Sequence, residues 1–177
     1  MPECSCSSSQ ARSTVTALLH EAGCTVRTQA DRILLRSSGQ LLAVSPVRTA
    51  PYPGFPTDAQ AIIMAALLKS RGTTMFVENI FENRYRHVDE LRRLGADIRV
   101  ADRVAVVTGV EHLSGADLRC TDLRGGAALC VAALAAEGVS SVTGLHHIDR
   151  GYEDLARDLR TVGAEIVKEK INKQAEL

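Results

Sequence analysis

The sequence predicts an α+β fold of repeated strand-helix-strand-helix-strand-strand (βαβαββ) units, arranged as an inside-out α/β prism with helices inside and sheets outside. Three observations predict it. Helical and strand-like patterns alternate along the 177 residues. The pattern recurs at a fixed period: Thr57-Asp58 returns as Thr121-Asp122 64 residues on, and Gly72 and Arg84 return as Gly138 and Arg150, both 66 residues on. Two Ala-rich helices, at 59–70 and 123–136, are apolar over most of their circumference, as interior helices are.

The elements follow in order. Residues 12–22 read as a helix closed by Gly23. Strand-like pieces follow at 24–27, 32–35 and 40–44. The run Thr49-Ala50-Pro51-Tyr52-Pro53-Gly54-Phe55-Pro56 bars both helix and central strand, because three prolines remove backbone donors. Thr57 or Asp58 then caps the helix at 59–70, and Gly72 ends it. The β-branched stretch 73–78 predicts a strand, 85–94 an amphipathic helix stopped by Gly95, and 97–100 and 104–108 two more strands. Thr121-Asp122 opens the second Ala-rich helix. A strand at 139–143, a helix at 151–162 and a strand at 164–167 complete the pattern. A Leu-x-x-x-Gly ending, then Ala or Cys and an aliphatic residue two further on, closes three segments, at 19–26, 91–98 and 159–166. The first unit enters part-way, with one helix and no partner helix before it. It predicts an incomplete first repeat and a chain that begins inside a larger fold.

Composition bounds the rest. The length suits one domain: a polar Ser-rich leader at 1–10, the prism at 11–170 and a polar tail at 171–177. A hydrophobic fraction of 45% supports a core. With 21 basic and 21 acidic residues and only 3% aromatics, neither a basic field nor stacking platforms point to nucleic acid. No apolar run suits a signal peptide or a membrane span, so the expectation is a cytoplasmic protein. Five cysteines at irregular spacing argue against a disulfide framework. Cys4 and Cys6 lack a second ligand pair, so no metal is expected, and Cys130 reads as a small core residue. Gly125-Gly126 is no phosphate loop, since the Lys-Ser/Thr ending is missing.

The informative charges sit at the repeat junctions: Asp58, Glu82, Arg84, Asp122, Arg124, Asp149 and Arg150. If the units pack about an axis, matching ends share one rim, and arginine forks there suit a small molecule with several anionic groups. Each residue also has a plainer reading. Asp58 and Asp122 can be helix caps. Arg84 and Arg150 can pair with Glu82 and Asp149 at the surface.

Several strings resemble the UDP-N-acetylglucosamine 1-carboxyvinyltransferases, the UDP-sugar enolpyruvyl transferases. They are the 49–60 segment, Phe81-Glu82-Asn83-Arg84-Tyr85-Arg86-His87, Leu113-Ser114-Gly115-Ala116, Thr121-Asp122-Leu123-Arg124 and His147-Ile148-Asp149-Arg150-Gly151-Tyr152-Glu153. The resemblance covers about 11–168, and the shikimate-pathway transferases match these strings less well. It implies the enolpyruvyl-transferase-type prism and a role in peptidoglycan precursor synthesis. In that reaction a hydroxyl of UDP-N-acetylglucosamine attacks C2 of phosphoenolpyruvate while C3 is protonated, and the tetrahedral ketal then loses phosphate from C2 and a proton from C3. No cofactor is implied. Asp58 matches the family's candidate base, and the backbone at Ile80 matches a contact on the uracil or sugar side. Arg84, Arg124 and Arg150 match arginines at the phosphoenolpyruvate rim, with Arg150 the best direct contact. Asp122 belongs to the same cluster, Glu82 is expected to orient Arg84, and Asp149 supports Arg150. Nothing here resembles the half that carries the family's lysine-asparagine pair and cysteine loop. The expectation is therefore an isolated chain without activity, completed by a complementary chain or self-associating. The alternative is a non-catalytic binding or assembly domain of the same fold.

Overall fold

The computed structural model describes residues 11–169; the expected leader, Cys4, Cys6 and the 171–177 tail lie outside them. Helix α1 (Ala11–Glu21) leads into an antiparallel pair, β1 (Thr25–Thr28) and β2 (Ile33–Arg36). The next stretch gives β3 (Val47–Arg48), α2 (Thr57–Ala66), β4 (Thr73–Val77), α3 (Val88–Arg93), β5 (Asp97–Ala101) and β6 (Val104–Thr108). The last gives β7 (Asp117–Arg119), α4 (Leu123–Leu134), β8 (Ser141–Thr143), a short 3-10 turn at Leu145–His147 and α5 (Leu155–Thr161).

Strands β3-β4-β6-β5 form one mixed sheet. Within it β3 runs parallel to β4, while β4–β6 and β5–β6 are antiparallel. Alternation decides which face turns inward: Thr74 and Phe76 of β4, Ile98 of β5, and Ala105 and Val107 of β6 are buried. Helices α2 and α4 pack against each other through Ala61, Met64, Ala65, Ala128, Leu129 and Ala132, all buried in one cluster that also takes in Leu18, Phe76 and Leu91. Alanines let the two backbones approach closely. A smaller cluster, Cys120, Cys130 and Ile148, lies beneath α5. Cys130 is thus the core residue expected, and burial pushes its thiol up to about 11.

Several boundaries differ from expectation. The strand expected at 40–44 reduces to one isolated bridge, Leu42 to Arg71, and the true strand is β3, beyond Pro46. Helix α3 begins three residues late, after a turn-rich 82–87 segment. Helix α5 begins at Leu155 because Asp154 accepts the Arg157 N–H at 2.9 Å and fixes the start there. Residues 164–167 make no strand: Ala164 N–H caps α5 on the Leu159 carbonyl, and no ladder forms beyond it. Strand β7 gives too short a signal to read, with three residues of which two are charged. It exists because β8 offers it a parallel edge.

Candidate active site

The first turns of α2 and α4 meet at one rim, and their charges meet there too. Arg124 Nη2 donates to Asp58 Oδ2 at 2.8 Å, across 66 residues of sequence. Arg84 Nη2 reaches Asp58 Oδ1 at 3.3 Å and donates to the Thr57 carbonyl at 2.9 Å. One carboxylate thus joins two guanidinium groups. The side chains of Arg84 and Arg124 are 15% and 29% exposed and that of Asp58 60% exposed, so the trio reaches the surface and is not in the core. The hydrogen bond from Arg124 is the main cause holding the Asp58 carboxyl below the usual carboxylate range. Burial opposes it, and the charges of Arg124 and Arg84 add to it. Aromatic faces support both arginines: Arg84 lies 5.3 Å from the centroid of the Phe81 ring, and Arg124 6.0 Å from that of Tyr152.

The two aspartates of the repeat part company here. Asp122 is a helix cap, its Oδ1 accepting the Gly125 N–H at 2.7 Å. Asp58 caps nothing: Pro56 holds the cap position of α2, and the Asp58 carboxylate faces the arginines. Asp122→Ala is expected to cost about 1 kcal/mol of stability through the lost cap. Asp58→Ala should cost α2 no cap. Urea unfolding of the two variants checks the difference.

Glu82 is not placed as expected. Its side chain is 90% exposed and faces Arg103 at 3.8 Å, so it does not orient Arg84. Asp149 pairs with Lys168 Nζ at 2.7 Å and not with Arg150, and Arg150 stands exposed on the segment before α5. Ile80 is partly exposed, and its N–H donates to Glu78 Oε1 at 2.8 Å. The structure therefore brings together Asp58, Arg84 and Arg124, with the cap Asp122 two residues before Arg124. It leaves Glu82 and Asp149 in other pairs.

Sequence reasoning missed two contributors. Glu78 is a fully buried carboxylate at the end of β4. A charged residue closing a β-branched strand just before a conspicuous motif was the available signal. His87 is buried beneath the start of α4, where neither ring nitrogen makes a hydrogen bond of ordinary geometry. The Gly125-Gly126 pair explains itself here. A Cβ on Gly125 would stand 2.8 Å from the His87 Cβ, and one on Gly126 2.9 Å from Cys120 Sγ. The pair weakens α4 locally so that its first turn can sit against both neighbours. Among the described residues no group of three His, Cys, Asp or Glu could hold a metal.

A family model described as EPSP synthase (3-phosphoshikimate 1-carboxyvinyltransferase) matches residues 2–159. The chain belongs to this enolpyruvyl transferase family. Within it, the chain is homologous to UDP-N-acetylglucosamine 1-carboxyvinyltransferases. It is 53% identical over 150 residues to that of Desulfofundulus thermocisternus, covering 85% of this chain and 61% of the relative. It is 50% identical over 152 residues to that of Gloeobacter violaceus, covering 86% and 33%. The chain thus spans between one third and about three fifths of such relatives. The enolpyruvyl transferase NikO from Streptomyces tendae superposes with a TM-score of 0.78 at 32% identity, over 86% of this chain and 35% of that one. EPSP synthase from Acinetobacter baumannii shares the fold, with a TM-score of 0.64 at 16% identity, over 88% and 36%. The mixed α+β architecture is that of the enolpyruvyl transferases. Among the described residues no helix is long and apolar enough to cross a membrane.

Proposed function

We propose that this chain supplies one wall of an enolpyruvyl transferase site that uses phosphoenolpyruvate and UDP-N-acetylglucosamine in the cytoplasm. The observation that carries the reading is the Asp58 carboxylate held between Arg84 and Arg124 at the surface. The identity of about half to transferases named for that sugar nucleotide supports it. The packed α2–α4 pair with sheets around it supports an inside-out prism spanning 11–170, with its first unit incomplete.

The geometry suggests how the site works. An aspartate paired with two arginines is a weak base. An anionic substrate competes for the guanidinium groups, because carboxylate and phosphate suit their forks. Phosphoenolpyruvate carries both, so its arrival draws Arg84 and Arg124 away from Asp58. The freed carboxylate then accepts the proton of the attacking sugar hydroxyl. The arginines, with Arg150, stabilise charge on the carboxylate and leaving phosphate. Asp122 holds Arg124 by fixing the first turn of α4. The backbone at Ile80 faces the sugar nucleotide. The remaining wall comes from a complementary polypeptide or a second copy, since orienting two substrates takes a closed cleft.

The test is phosphate release from phosphoenolpyruvate with UDP-N-acetylglucosamine, for the chain alone and mixed with the complementary portion of a relative. The expected result is release only in the mixture, falling about a hundredfold or more in Asp58→Asn. Equal release by Asp58→Asn would overturn the role of Asp58. A mixture that assembles but binds neither substrate would favour a non-catalytic assembly domain.

A further inference from the structure

We propose that Glu78 is the positioning residue of this site: its buried carboxylate holds both supports of the Arg84 guanidinium, the Thr57 carbonyl and the Phe81 ring. Four donors converge on it. Oε1 accepts the Thr49 hydroxyl at 2.9 Å, the Ile80 N–H at 2.8 Å and the Phe81 N–H at 3.0 Å. Oε2 accepts the Thr57 hydroxyl at 3.0 Å. Thr49 completes the clamp, its hydroxyl oxygen accepting the Asn79 N–H at 2.8 Å.

These bonds lead to Arg84 by two routes. Thr57 opens α2, and its carbonyl receives Arg84 Nη2 at 2.9 Å. Phe81 follows the clamped turn, and its ring lies under the same guanidinium at 5.3 Å. Glu78 is 1% exposed, so its charge is tolerated only because donors saturate it. An apolar side chain there would leave four donors unpaired and release the 80–81 turn and the start of α2 together. The orienting function expected of Glu82 therefore belongs to Glu78, which acts through its neighbours and touches no arginine. The functional weight of the inference rests on the reading of Arg84 as a substrate arginine.

The experiment uses this chain and needs no turnover, so its failure is distinguishable from failure of the transferase reading. The titration midpoint of the Asp58 carboxyl and the Arg84 Nε signal are recorded by nuclear magnetic resonance. The samples are wild type, Glu78→Ala, Glu78→Gln and Thr57→Val, with Arg84→Lys to assign the signal. In Glu78→Ala the Asp58 midpoint is expected to rise modestly as Arg84 swings away, with Arg124 still holding it below the ordinary range, and the Arg84 signal to exchange several-fold faster. Deleting a neighbouring negative charge alone would move Asp58 the other way, so the sign separates the two causes. Glu78→Gln keeps an acceptor for the three Oε1 donors and a polar partner for Thr57, and is expected to restore both readouts. Thr57→Val cuts one route, gives an intermediate result, and stands in should Glu78→Ala fail to fold. An Asp58 midpoint that stays at the wild-type value or falls, with an unchanged Arg84 signal in the folded variant, overturns the proposal.

Discussion

Gly109→Ala is expected to destabilise the chain by about 3 kcal/mol or more, a large part of what holds a domain of this size folded. Gly109 lies just after β6, where the chain crosses the tail of α2. Its N–H donates to the Gly72 carbonyl at 3.0 Å, and the Val110 N–H to the Leu68 carbonyl at 2.8 Å. A Cβ there would stand 1.6 Å from the Ser70 carbonyl oxygen and 2.6 Å from its carbon. Both are backbone atoms, so no rotamer change relieves the clash. The sheet must part from the helix, and the Thr73-to-Thr108 pairing beside it goes too. Gly115 is similarly tight, since a Cβ there would stand 2.2 Å from the Val139 carbonyl oxygen, and its alanine variant should behave alike. Gly39 has open space around it but a φ of +93°, so Gly39→Ala should cost only about 1 kcal/mol of left-handed strain. Urea unfolding midpoints rank the three.

Acid should weaken the fold through His87. Burial pulls its pKa from 6.5 to about 4; the Asp122 carboxylate and the Arg84 carbonyl favour the proton, and the Arg84 guanidinium opposes it. The unfolded chain takes up the proton at about pH 6.5 and the folded chain only near 4. The contribution is therefore complete above 6.5 and is lost as the pH falls from there to about 4, with no further loss below. The total is roughly 3 kcal/mol. His87→Leu should flatten the stability profile across that window relative to wild type. A variant with an unchanged slope would mean that another group governs the acid limb.

Much of this was legible in the sequence, for reasons specific to each element. The 64- and 66-residue recurrences placed α2 and α4 as partners, because both are apolar nearly all round and have nowhere to go but against each other. Asp58, Arg84 and Arg124 were legible as one group, since matching helix starts in stacked units share a rim. Which acid serves which base was not legible. Glu82 stands closer in sequence to Arg84, but side-chain direction on a turn-rich segment sends it to Arg103. Nor does sequence separate the cap Asp122 from the ion-paired Asp58. One position in the approach to the helix, Pro56 standing where an aspartate would cap, turns identical Thr-Asp pairs to different uses. Short strands such as β7 escape because three residues carry no period.

The Asp58–Arg124 contact also bears on the order of folding. Its two halves lie 66 residues apart and belong to different units. Neither unit can form it alone, so the pair appears only when α2 and α4 dock, after the loop between them has closed at its entropic cost. The Asp58–Arg124 contact thus forms no earlier than the docking of α2 on α4 and is lost when the helices separate. A probe of that ion pair reports on docking of α2 against α4 and not on secondary structure alone. Variants that loosen the α2–α4 seam far from the rim would break the Asp58–Arg124 contact without changing either residue.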